Sequence, residues 1–540
     1  MSRVRARVAA AVILVLVIAV TGWRHSPPPL ARVTEPGQFD GFRAQEFLRD
    51  FIADGAPRAV GSLGHAAAHE RLCTSLTALG CEVIEQPFVA RGWNRTAVAM
   101  TNVLVRIRGT EPDPQQGCVL VSAHYDSVSR GEGAGDNAAG VACALEITRA
   151  LKADPPRRDT LVLFTDGEEV GLRGAAAFVA EHPAWKDVGA VVNLDARGSD
   201  GPVYIFEVGA DRSTHAALLF EVNPSAKTTS LASEAYQHMP NGTDFSVYRR
   251  GGCPGFNLAF IGSPRNYHSH DDTRATLDPR TMNQLGTNAL ALVRALADGW
   301  IGMGYHSGHP QSGTSAVWFD FYSVAVVWWP PWLTLVSIGL SLLVLGVVLR
   351  VHRHRSTASL LGTLMGATSA ACGVLCAIAI GTAFSSTMRW SEKVDMPWPA
   401  ASIWWGDALL LVVGASCIVV LSRVVNRRRR ARRTATCADW DTWLGGWLLI
   451  VVLCAVIAWA APGAIHPLLC PLVAASTVSA VGCTKRWETL NGCALASGTV
   501  ALLVWAPLEP AFADAFGLGL GGFTALRGAL VALAFRPLCD

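Results

Sequence analysis

The chain has 540 residues, 51% of them hydrophobic and 16% charged, with a formal net charge of +3. That length exceeds one ordinary domain, and the positive residues cluster beside apolar segments rather than spread as a nucleic-acid-binding face needs. The 14 cysteines form no CxxC pair. They are expected as free thiols, with a Cys73–Cys81 bridge as the rival reading.

In chain order, the first element is the apolar run Val8–Trp23, which follows Arg3, Arg5 and Arg7 and precedes Pro27-Pro28-Pro29. Trp23-Arg24-His25 lacks the small residues of a signal-peptidase site, so residues 1–33 read as an uncleaved signal anchor and linker, with a cleaved signal peptide as the rival reading. Residues 34–304 mix charged and apolar residues as a soluble α/β domain does. Short apolar runs at Gly117–Ala123, Thr160–Phe164, Gly189–Leu194 and Gly255–Ile261 predict buried strands, and Asn137–Ala153 predicts an amphipathic helix. Strands alternating with helices imply a mixed, largely parallel sheet with helices on both faces.

Residues 305–540 read as an all-α polytopic membrane domain of about seven helices. The candidate spans are 333–349, 359–384, 403–425, 443–461, 465–481, 490–505 and 513–535. No paired charges are expected inside them, which counts against a transport pathway. The basic clusters Arg350–Arg355, Arg423–Arg433 and Lys485-Arg486 all fall on one side if the N-terminus is cytoplasmic and each span crosses once. The soluble domain is then expected on the periplasmic or extracellular side, luminal in a eukaryotic cell.

The predicted strands end in polar motifs. His124-Tyr125-Asp126 follows the first, with Gly135-Asp136-Asn137 beyond it. Asp166-Gly167-Glu168-Glu169 follows the second, Asp195 ends the third, and Tyr267-His268-Ser269 lies after the fourth. Each piece has an ordinary reading: Asp136 as a helix cap, Glu168-Glu169 as a solvated loop, either histidine as structural. Taken together, His124, Asp136, Glu169, Asp195 and His268 converge beyond one edge of the sheet, where ligands bind in parallel α/β folds. Two imidazoles and three carboxylates suit zinc, and five donors allow one carboxylate to bridge two ions.

The stretches Arg58-Ala59-Val60-Gly61-Ser62, Ser122–Ser127, Gly135–Gly140, Asp166–Leu172, Asn193–Gly198 and Tyr267–Asp272 resemble, in order and spacing, the two-zinc exopeptidases of bacterial aminopeptidase S and aminopeptidase Y type. Within that group the soluble-domain-then-multispan layout is most similar to the membrane-bound branch that includes endoplasmic-reticulum metallopeptidase and fungal vacuolar membrane protease. The resemblance implies that His124 and Asp195 bind one zinc, Glu169 and His268 the other, and Asp136 bridges. It implies Glu168 as general base and Asp126 as the residue that orients His124. Tyr267 is the implied oxyanion partner, with Tyr125 and Tyr236 as rivals. Asp244 is a residue that braces the site or caps a helix.

The expected function is hydrolysis of N-terminal peptide bonds by a membrane-anchored dizinc aminopeptidase. Its partners are a peptide or protein substrate and the lipid bilayer, with no nucleic acid. The alternatives are carboxypeptidase or glutaminyl cyclase-like use of the same site, and a non-enzymatic receptor or transporter with a relic peptidase domain.

Overall fold

The computed structural model describes residues 2–30, 32–33, 35–92, 96–112, 117–209, 212–239, 241–300, 316–392, 404–430, 435–483, 489–516 and 521–539. Lys393, Arg432, Arg433, Lys485 and Arg486 lie outside them. The chain divides into two compact units, one of residues 26–328 and one that joins residues 1–25 to 329–540.

In the first unit the helices are α2 (Gly41–Ile52), α3 (Leu63–Ala78), α4 (Gly140–Ala153), α5 (Arg173–Glu181), α6 (Arg212–Val222), α7 (Ser230–Tyr236), α8 (Asp244–Arg250) and α9 (Pro279–Ala295); α1 (Arg3–His25) belongs to the second unit. The strands are β1 (Ile84–Arg91), β2 (Ala97–Ile107), β3 (Cys118–His124), β4 (Thr160–Thr165), β5 (Val188–Ala196), β6 (Asp200–Val208), β7 (Lys227–Thr228) and β8 (Gly255–Gly262). They form one eight-stranded sheet in the order β1-β2-β4-β3-β5-β8-β6-β7. The central strands β4, β3, β5 and β8 run parallel, while β2 and β6 flank them antiparallel.

Every residue of β3, β4 and β5 is buried, which is why these segments read as largely apolar runs. Alternate residues serve opposite faces. Val119, Val121, Val162, Phe164, Val192 and Leu194 join the core under α2, α3, α4 and α9, whereas Leu120, Leu161, Leu163 and Val191 pack with Phe178 of α5 and Phe245 and Tyr248 of α8. The expected mixed, largely parallel sheet with helices on both faces is observed. The outer strands were not predicted: β1 alternates exposed with half-buried residues and carries a weaker apolar signal.

Residues 316–328, assigned from the sequence to the membrane part, belong to the first unit. They contribute a hairpin of β9 (Val317–Phe321) and β10 (Ala325–Trp329), anchored by Trp318, whose side chain is fully buried and donates from Nε1 to Thr228 Oγ1 at 3.0 Å.

The second unit holds α1 together with α10 (Pro331–His354), α11 (Leu360–Glu392), α12 (Trp404–Arg430), α13 (Ala435–Ala460), α14 (His466–Gly482), α15 (Thr489–Trp505), α16 (Leu508–Phe516), α17 (Gly521–Ala534) and α18 (Arg536–Cys539). Among the described residues five helices are long and apolar enough to cross a membrane: α1 and α10–α13. A sixth arises if α15 and α16, bent by 41°, act as one span. The predicted span 513–535 is corrected: it is divided between the end of α16 and α17, and α17 has only 14 residues. The expectation of no paired charge inside the apolar helices is also corrected. Arg527 of α17 is buried, pairs with Glu509 of α16 (Nη1 to Oε2, 2.7 Å) and lies against the rings of Phe512 and Phe523. The partners are 18 positions apart on different helices, so no local pattern announced them.

Candidate metal centre

The site lies in the first unit, at the carboxyl ends of the parallel strands. His124 is the last residue of β3 and Asp195 the last but one of β5, while Glu168 and Glu169 follow β4 and His268 sits in the loop after β8. Asp136 is held just before α4. The predicted helix start at Asn137 moves to Gly140, because Asp136 and Asn137 have non-helical backbones. Asn137 explains the delay: its Oδ1 accepts from Gly140 N at 3.1 Å while its Nδ2 donates to the Leu194 carbonyl of β5 at 2.8 Å. Asp136 therefore does not cap the helix, and its carboxylate faces the two histidines. Gly135 is required beside it, since a Cβ there would run into the Gly198 carbonyl.

His124 Nε2 lies 3.1 Å from Asp136 Oδ1 and 3.7 Å from Asp195 Oδ1. His268 Nε2 lies 3.0 Å from both Asp136 Oδ2 and Glu169 Oε2. The donors thus form two clusters, His124–Asp136–Asp195 and Asp136–Glu169–His268, each with its ligand atoms within 4.8 Å of one another and with Asp136 common to both. His268 is presented from a left-handed backbone (φ 56°), an uncommon conformation for a side chain of this kind. All five predicted donors come together.

The charge balance of this pocket calls for cations. Burial and the nearby Asp136 raise the Glu169 carboxyl to about 7, against the pull of His268. Burial raises Asp195 as well, and the negative charges of the facing Asp136 and Glu169 carboxylates overcome burial to lift His268 to about 10. His124 Nε2, His268 Nε2 and Glu169 Oε1 are buried without a hydrogen-bond partner. Imidazole nitrogens aimed at shared carboxylates with no protein donor between them fit divalent metal of the zinc class.

The surrounding residues fix these donors. Asp126 stands 3.4 Å from His124 Nδ1, and its two carboxylate oxygens accept from the backbone N–H groups of Glu168 (3.1 Å) and Glu169 (3.2 Å). Glu168 is half-buried beside the clusters. Burial, with Asp195, Glu169 and Asp244, pushes its carboxyl well above the usual range, against the pull of His124. Tyr267 stacks on the His268 ring at 3.8 Å, and burial together with Asp136 and Glu169 raises its phenol. Tyr125 is removed as a rival, because its single O–H is engaged by two acceptors, Asp166 Oδ2 at 2.8 Å and the Thr101 carbonyl at 2.9 Å. The Tyr236 hydroxyl is buried and feels Glu207, Asp195 and Glu168, so it stays a rival. Asp244 accepts from Thr165 Oγ1 at 2.5 Å, whereas α8 is capped by Thr243 with Ser246. The bracing reading of Asp244 therefore accounts for its contacts better than the capping one.

Three supports escaped the sequence reading of the site. The buried Arg58 guanidinium donates to the carbonyls of Tyr125 (2.8 Å), Glu132 and Gly133 (3.0 Å), joining the end of β3 to the loop that carries Asp136. Asp272 accepts from the backbone of Gly135 and Asp136. His65 of α3 bonds Asp166 at 2.8 Å and stacks on Tyr125. Arg58 and Asp272 lie in motifs that had been noticed, but their work is on backbone groups, which no side-chain spacing reveals.

The mixed sheet carries at its strand ends two histidine–carboxylate clusters joined through one aspartate, a donor set that could hold divalent metal. Residues 102–293 match the model of Peptidase family M28, so the resemblance read from the motifs is borne out for this segment. The chain is similar to Endoplasmic reticulum metallopeptidase 1 of Mus musculus, 29% identical over 318 residues that cover 54% of this chain and 34% of the mouse protein. It is also similar to a Vacuolar membrane protease of Schizosaccharomyces japonicus, 36% identical over 205 residues covering 37% and 23% of the two chains. The match thus spans about a third or less of these relatives' own length. Among solved structures, a leucine aminopeptidase precursor from Bacteroides thetaiotaomicron matches with TM-score 0.39 and 17% identity, covering 48% of this chain and 99% of that one. A glutaminyl cyclase from an Acidobacteriales bacterium matches with TM-score 0.40 and 20% identity, covering 50% and 99%.

Proposed function

We propose that this chain is a membrane-anchored aminopeptidase that holds two zinc ions and hydrolyses N-terminal peptide bonds on the outer or luminal face of its membrane. The observation that carries the reading is Asp136, whose two oxygens each meet a histidine whose Nε2 has no hydrogen-bond partner. In this reading His124 and Asp195 hold one ion, Glu169 and His268 the other, and Asp136 lies between them. When bound, the ions supply Lewis acidity and a water whose proton is readily lost.

The chain's own residues do the rest. Glu168, next to a ligand in sequence but outside both clusters, takes a proton from the attacking water and returns it to the leaving amine. Asp126 keeps His124 in one ring orientation and ties it to the Glu168–Glu169 backbone. Tyr267 donates to the oxygen of the attacked carbonyl as negative charge develops there.

The outward orientation rests on the basic ends of the apolar helices. Arg3, Arg5 and Arg7 precede most of α1, and His352-Arg353-His354 and Arg427–Arg430 close α10 and α12. One cytoplasmic side accommodates all of them. The test is cleavage of a fluorogenic panel of free and N-blocked peptides by the purified full chain, with and without a chelator. Chelator-sensitive cleavage of free peptides is expected. Cleavage of blocked peptides alone overturns the aminopeptidase assignment, and cyclisation of N-terminal glutamine in place of hydrolysis favours the acyltransfer alternative.

A further inference from the structure

Outside this pocket, α3 and β1 bring together another set of metal-capable side chains. His69 and Cys73 are four positions apart on α3 and so project from one face of the helix. Glu85 reaches them from the start of β1. Glu85 Oε1 lies 3.7 Å from both His69 Nε2 and Cys73 Sγ, and those two atoms are 3.9 Å apart. The three side chains line an open cavity of about 610 Å³, with Glu70, Thr74 and Thr77 around them. Cys73 and Cys81 are both free thiols, so no disulfide withdraws Cys73 from the group.

We propose that His69, Cys73 and Glu85 bind a single divalent transition-metal ion of the zinc class, separate from the Asp136 centre, with its fourth coordination position open to the cavity. The donor set of one imidazole, one thiolate and one carboxylate is a zinc set. The spacing also fits. Around a tetrahedral ion a nitrogen, an oxygen and a sulfur donor stand roughly 3.3–3.7 Å from one another, so the observed triangle needs to close by only a few tenths of an ångström. Binding requires the Cys73 thiol, which burial and the nearby Glu85 push up to about 11, to release its proton to solvent, and the ion's positive charge favours that release. Three protein donors and one open position make a site that takes up and releases metal, or accepts a small exchangeable ligand, more readily than a closed four-donor site. The two centres are neighbours without sharing a donor: the His69 ring packs on Tyr125, the residue after His124, at 6.1 Å between centroids.

The sulfur donor separates the two centres experimentally, because none of the five donors of the Asp136 centre is a cysteine. The full chain in detergent, stripped of metal, is titrated with cobalt(II) and followed for the near-ultraviolet thiolate-to-cobalt charge-transfer band. The band is expected in the wild type, lost in Cys73→Ser, and shifted to higher cobalt concentration in His69→Ala and Glu85→Ala. Peptide cleavage by the zinc-loaded Cys73→Ser chain is expected to persist. As a second readout that requires no variant, zinc should slow alkylation of Cys73, read by peptide mapping of the labelled wild type. A wild type without the band at saturating cobalt, an equal band in Cys73→Ser, or alkylation of Cys73 indifferent to zinc each overturns the proposal.

Discussion

Asp272 holds Asp136 by its backbone: the buried Asp272 carboxylate accepts from the Asp136 N–H at 3.0 Å and from the preceding Gly135 N–H at 2.6 Å. The residue shared by both clusters is thus fixed from behind, leaving both its carboxylate oxygens for the histidines. Replacing Asp272 with Asn turns one acceptor into a donor that faces an N–H. We expect Asp272→Asn to weaken metal binding by about 10–100-fold, as loss of a partner behind a ligand does. Competition between the variant and a chromogenic chelator measures it, and unchanged affinity would show that the loop holds its shape without Asp272.

Glu168 is in neither cluster. Glu168→Gln is expected to cut peptide hydrolysis by about 10²–10⁴-fold, the usual contribution of a general base. Zinc content should stay at the wild-type level, because the amide keeps the shape and removes only the proton acceptor. Elemental analysis beside the rate measurement separates this outcome from a role as ligand, in which metal and activity would fall together.

Arg58 makes its contacts through a planar fork. Lysine carries one nitrogen and cannot reach the carbonyls of Tyr125, Glu132 and Gly133 together. Burial lowers the Arg58 guanidinium to about 10, against Asp272, Asp126 and Asp136, so it remains charged near neutrality. Arg58→Lys should destabilise the domain by at least about 1–3 kcal/mol, the cost of leaving buried carbonyls unpaired. A melting curve of the detergent-solubilised chain reads this, and a wild-type melting temperature would contradict it.

The His65–Asp166 pair gives a pH signature. Burial lowers the His65 imidazole, but its hydrogen bond to Asp166 outweighs burial and the net shift is upward from 6.5. A histidine raised on folding contributes its stabilisation fully below the unfolded-state value of about 6.5 and loses it as the pH rises through the higher folded value. The stability difference between wild type and His65→Gln should therefore be larger at pH 5–6 than at pH 9. A difference that grows with pH would reverse the sign and contradict the pairing.

The legible part of this molecule is the part whose physics is local. Strands β3, β4, β5 and β8 are buried along nearly their whole length, so their residues are mostly apolar, and the candidate donors stand out as ionisable residues at or beyond their carboxyl ends. What escaped depends on pairings distant in sequence. Arg58 acts on carbonyls about 70 positions away, Arg527 meets Glu509 across two helices, and Trp318 is buried against Thr228. The start of α4 was displaced for a related reason, since Asn137 is engaged by Leu194 of another strand. Cys73 was read only as a free thiol or half of a bridge to Cys81, because its companions, one helical turn away and on a strand, form no cysteine motif.

The central claim is that Asp136 serves two metal ions at once. It is tested most directly by the zinc content of the full chain against that of Asp136→Ala, after equal loading and dialysis and with folding checked by circular dichroism. The account predicts a loss of two zinc ions per chain, whatever the occupancy at His69, Cys73 and Glu85. A loss of one ion, or of none, would contradict it.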